Sequence, residues 1–170
     1  MLEIVPISEF KVEALQVKVS GITQAYQSFE DMLKDFDRED MDALWRLVKE
    51  KFSSAVPTVD KEKALWVELK RLFEPDTYDV LWKLQIYMHY PIMWKLISNC
   101  GVHQVSSTTR RHDIYMLAEK DYPLSNGVMT LMLSTKLQVE EDCEMAKDLV
   151  MKIFMKANQP KSKSLDTSSK

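Results

Sequence analysis

A ten-residue phrase occurs twice in this chain, Ala43-Leu-Trp-Arg-Leu-Val-Lys-Glu-Lys-Phe52 and Ala64-Leu-Trp-Val-Glu-Leu-Lys-Arg-Leu-Phe73, with five of ten positions identical. Both copies space their large apolar residues as an amphipathic helix does, and a third Leu-Trp-Lys follows at Leu81. Tryptophan and phenylalanine carry the largest apolar areas, so Trp45, Phe52, Trp66, Phe73, Trp82 and Trp94 are the expected core or, if exposed, an interaction face. The spacing does not continue: 21 residues separate Trp45 from Trp66, but 16 separate Trp66 from Trp82. A solenoid needs three or more regular units, so the phrase reads as two paired helices with similar faces.

The capping pattern sharpens that reading. Ser28, with Asp31 three residues on, opens a helix to about Phe36, and Asp37 opens the next. Met41, Leu44, Trp45, Val48 and Phe52 then form one stripe. Asp60 restarts the helical pattern with Leu65, Leu69, Leu72 and Phe73, until Pro75 stops it. Val80 to Met88 gives a fourth helix. Residues 93–105 and 114–118 are apolar and partly β-branched, which predicts two strands joined through the polar 106–111 segment. Ser125 begins a helix to about Leu137. Asp142 begins the last, whose two ridges, Met145-Leu149-Ile153 and Ala146-Val150-Phe154, predict a well-buried element.

The expected fold is therefore α+β, mainly helical with a small antiparallel β-hairpin. Residues 1–27 form a leader, extended or partly strand; 28–158 form the helix-rich domain with the hairpin at about 93–119; the Ser/Lys-rich 159–170 form a disordered tail.

Composition excludes several functions. A formal net charge of −3 argues against nucleic-acid binding, which draws on a concentrated basic face. No apolar run approaches the roughly 20 residues of a membrane span, and the N-terminus has no secretory signal pattern. Two cysteines far apart suggest free thiols in a reducing, intracellular compartment, with cytoplasm and nucleus not distinguished.

Chemistry is sparse. Cys100, His103 and His112 are the only candidate metal set, because Cys-x-x-His brings two donors close, but a structural zinc needs four ligands and the fourth is missing. The acidic run from Asp35 to Asp42 lacks the glycine and glutamate of a calcium loop and reads as helix-start charge. No phosphate loop, dinucleotide fingerprint or nucleophile constellation is present, so neither a catalytic residue nor a cofactor is expected.

Six blocks resemble, in order, a segment of plant copia-class LTR-retrotransposon polyproteins of the daisy-family type. They are residues 28–52, 68–76, Leu81-Trp-Lys-Leu-Gln85, Cys100-Gly-Val-His103, 114–125 and Lys136-Leu-Gln-Val-Glu140. In that family the segment lies outside the reverse transcriptase, integrase and protease modules. The resemblance thus implies a non-enzymatic accessory or remnant segment, with self-association or other polyprotein modules as its partners. The alternative is a helical protein-interaction module of a host protein. Relatives carry an additional aromatic-rich stretch between the equivalents of Lys18 and Gly21, where only Val19 and Ser20 stand here, implying a depleted sheet beside the hairpin.

Overall fold

The computed structural model describes residues 3–4, 15–19, 22–54, 57–58, 60–108, 112–140 and 143–160. The expected disordered tail lies, from residue 161 on, outside the described residues, as does Asp142.

The helix starts follow the caps. In α1 (Phe29–Asp35) the Ser28 hydroxyl accepts from the Asp31 amide at 3.1 Å. In α2 (Arg38–Lys51) Asp37 accepts from the Asp40 amide at 2.8 Å, with acids in the first turn and lysines in the last, as the helix dipole favours. The α2 stripe Met41, Leu44, Trp45 and Val48 is buried. So are Leu65, Leu69, Leu72 and Phe73 of α3 (Asp60–Phe73).

The expected fourth helix is shorter. It runs as α4 (Val80–Leu84) and then tightens into a 3₁₀ turn at Gln85–Tyr87. The cause is local: the Gln85 side-chain amide donates to the Trp82 carbonyl at 2.6 Å and competes for a helical acceptor.

Three strands, rather than two, occupy the next segment: β4 (Ile92–Ile97), β5 (Val102–Ser107) and β6 (Asp113–Leu117). A tight turn at Cys100 and Gly101 reverses the chain inside what reads as one strand. Gly101 has φ +69°, and a Cβ there would stand 2.8 Å from Met145 Sδ, so glycine suits both the backbone and the packing. A parallel strand β7 (Leu137–Gln138) completes the sheet in the order β6-β5-β4-β7, with Leu137 opposite Trp94. The helix expected to reach Leu137 therefore ends early, as α5 (Asn126–Ser134), and the following residues satisfy the open edge of β4.

Helices cover both faces of this sheet. Ile97, Val102, Tyr115 and Leu117 pack with α1, α2 and α3, while Ile92, Trp94, Val105, Ile114 and Met116 pack with α4, α5 and α6. β4 alternates at first, with Met93 exposed and Lys95 half-buried, but Leu96 and Ile97 are both buried and β5 is buried on both sides, so no alternation separates the two strands in the sequence. The chain is α+β and mainly helical, as expected.

The leader contributes a separate antiparallel sheet of β1 (Glu3–Ile4), β2 (Leu15–Val19) and β3 (Ile22–Tyr26), with Val19 opposite Ile22. Within the expected hairpin region, β4 and β5 pair and are flanked by β6 and β7. The central sheet closes on its own fourth strand and on helices.

The last helix, α6 (Glu144–Ala157), starts after Cys143, whose side chain makes no capping bond, and buries Ala146, Leu149 and Ile153. The expectation of a wide buried stripe fails here, for Phe154 is 53% and Met151 57% exposed, with Met145 and Met155 beside them. One side of α6 faces the sheet, and nothing among the described residues covers the other.

Candidate functional site

The duplicated phrase builds a four-ring cluster. Trp45 of the first copy stacks on Phe73 of the second at 5.5 Å and 5°, and Phe52 of the first meets Trp66 of the second edge-on at 6.0 Å. The two indoles themselves lie 5.5 Å apart. Each copy's tryptophan thus meets the other copy's phenylalanine, a reciprocity that follows from giving two facing helices the same side chains at the same positions. Aromatic pairs in such geometries contribute about 0.5–1.5 kcal/mol beyond area burial. Cations rim the cluster: Arg38 over Phe73 at 5.5 Å, Lys49 over Trp45 at 5.3 Å and Lys51 over Phe52 at 5.4 Å.

Trp45 and Phe73 are buried, whereas Phe52 and Trp66 are half-buried. Trp66 opens on a groove of about 250 Å³ between α3 and the turn that follows it, walled by Lys63, Val67, Lys70 and Tyr78. Tyr78 is 79% exposed. At the groove's inner side Arg71 pairs with Glu68 at 3.0 Å and with Asp79 at 2.9 Å, and Asp79 also caps α4 through the Leu81 amide. Burial pushes the Glu68 carboxyl up, against the opposing pull of Arg71. The sequence reading missed this network, although the i,i+3 pair Glu68 and Arg71 was its visible part.

Trp82 and Trp94 belong to the other face of the sheet. Trp82 is buried against Tyr122, with ring centroids 5.4 Å apart, and its Nε1 has no partner among the described residues. Trp94 Nε1 donates to His103 Nδ1 at 3.2 Å.

The Cys-x-x-His segment does not converge. Cys100 is buried in the core shared with α1–α3, where Sγ lies 3.8 Å from the Ile97 carbonyl and burial pushes its thiol up. His103 points to the opposite face, paired with Trp94. Burial pulls its pKa down to about 4, and the Met145 backbone opposes this only in part. His112 is half-buried before β6, and its carbonyl accepts from the Ser107 amide at 3.0 Å. Among the described residues no three His, Cys, Asp or Glu side chains stand together as a metal would require, and no helix is long and apolar enough to cross a membrane.

Two further polar side chains tie the structure together and went unnoticed in the sequence. Gln85, buried, donates to the Trp82 and Pro123 carbonyls and accepts from the Ser125 amide at 2.7 Å. Tyr122 donates to the Leu72 carbonyl at 2.7 Å and accepts from the Leu117 amide at 2.9 Å, linking α3 to β6. Gln85 reaches Pro123 and Ser125, and Tyr122 reaches Leu72, across 38 to 50 residues of chain, beyond any local pattern. No protein-family model, curated protein or solved structure matches this chain.

Proposed function

We propose that this chain is a non-enzymatic segment of a retrotransposon polyprotein that folds as a unit and acts through its surfaces. One observation carries the reading: the six blocks of resemblance fall in order on α1 and α2, the end of α3, α4, the turn into β5, β6 with the loop to α5, and β7. The blocks thus contribute to both cores of one folded body rather than to a single loop. The side chains with chemical potential support it too, since Cys100 and His103 face opposite ways and are held by packing.

Its partners are other modules of the same polyprotein or a second copy of the segment, and its two free cysteines suit a reducing, intracellular compartment. Reverse-transcriptase or integrase sequence in frame with this segment is the expected genomic context. In solution the isolated chain should show no polymerase, nuclease, integrase or protease turnover. Activity abolished by a single substitution in this chain would overturn the proposal.

The half-buried Trp66 beside the exposed Tyr78 favours a second reading, a host protein-interaction module that docks on the α3 groove. An independent, intron-bearing gene with no polyprotein modules would select it.

A further inference from the structure

A second cavity, of about 300 Å³, lies on the far side of the molecule between the loop leaving β6 and the C-terminal half of α6. Its floor is apolar, formed by the buried Met116, Met129, Leu149 and Ile153. Its mouth carries three ammonium groups, Lys120, Lys152 and Lys156, against one carboxylate, Asp121.

The three lysines are not equivalent. Lys152 is engaged in the fold: its Nζ donates to the Lys120 carbonyl at 2.7 Å and pairs with Asp121 at 3.0 Å. Asp121 lines the mouth as well, is 94% exposed, and has its carboxyl held low by Lys152 and to a lesser extent by Lys156. Lys156 stands one helical turn beyond Lys152 on the same side of α6. Among the described residues neither Lys120 nor Lys156 makes an ion pair. An apolar floor in a half-open cavity, under three cations opposed by one carboxylate, suits a ligand with an apolar body and one anionic end.

We propose that this cavity binds a medium-chain carboxylate, its alkyl chain against Met116, Met129, Leu149 and Ile153 and its carboxylate between Lys120 and Lys156. The mouth offers neither an arginine fork nor the amides of a helix N-terminus, so the anionic end is held by ammonium point charges alone. The volume stands at the small end for ligand sites, which suits a single unbranched chain. The inference is independent of the proposed polyprotein origin.

Titration of the full chain with submicellar decanoate, read by NMR of labelled methionine methyls, tests it. Met116, Met129 and Met155 line the cavity and should shift saturably, while Met32 and Met41, in the opposite core, should not. Decanol, which has the same chain and no charge, should bind about tenfold more weakly, as expected for two partly exposed ion pairs. The double variant Lys120→Glu, Lys156→Glu should bind decanoate no better than decanol. Equal affinity of the unaltered chain for acid and alcohol would overturn the proposal without any variant, as would absence of shifts or equal shifts in both cores. Shifts that depend on protein concentration with no decanoate present would make a second copy the occupant, and would overturn it as well.

Discussion

His103 enters the folded state without its proton. Its ring is buried, one nitrogen accepts from Trp94, and the folded pKa lies near 4 against about 6.5 when the chain is unfolded. Above pH 6.5 both states carry a neutral ring and this group adds no pH dependence. Between 6.5 and 4 the unfolded chain binds the extra proton, so stability falls as the pH falls, by roughly 3 kcal/mol at the lower limit. Urea unfolding of the unaltered chain and of His103→Gln across that window checks this, and the variant should lose that part of the slope. Tyr122 makes a different prediction at the same scale. Its hydroxyl serves the Leu72 carbonyl and the Leu117 amide together, so Tyr122→Phe leaves both unpaired and should cost about 1–3 kcal/mol, measured by the same unfolding. Neither role is visible in the sequence, where His103 stands in a ligand-like Cys-x-x-His and Tyr122 before a proline. What decides both is the neighbour brought up by the fold.

Elements were legible in the sequence wherever the signal was local. Ser28 and Asp37 announce α1 and α2 because a cap acts within three residues, and the Met41 to Val48 stripe is buried because one helix face meets one core. Where a second layer intervenes, local pattern fails. β4 ends in the two buried residues Leu96 and Ile97 and β5 is buried on both sides, so no alternation marks the turn at Gly101. On α6, two apolar ridges compete, and only the sheet's position selects Leu149 and Ile153 over Phe154. The aromatic cluster lies at the legible end, and it predicts energetic coupling between helices. Trp45→Ala should cost about 3–5 kcal/mol, as a large aromatic lost from a packed core does. A double-mutant cycle with Phe73→Leu should recover about 0.5–1.5 kcal/mol of interaction for the stacked pair. A Trp45 loss below 1 kcal/mol would place the ring outside the core.

At the scale of the whole molecule, strands β4, β5 and β6 belong to two cores at once, since each sends side chains to both helical layers, β4 through Ile97 on one side and Ile92 and Trp94 on the other. Neither layer can dissolve without exposing one face of the sheet. Heat unfolding should accordingly be a single transition, with calorimetric and van't Hoff enthalpies in agreement. Two resolved transitions, or a calorimetric enthalpy well above the van't Hoff value, would show that the layers melt independently. The same partition distributes the indoles evenly. Trp45 and Trp66 belong to one layer, Trp82 and Trp94 to the other, and the backbone of the sheet runs between the pairs. Light emitted by the protein therefore arrives in two channels, one from each side of a wall. Replacing either pair with phenylalanine would leave a chain whose fluorescence watches one layer alone, with no dye attached.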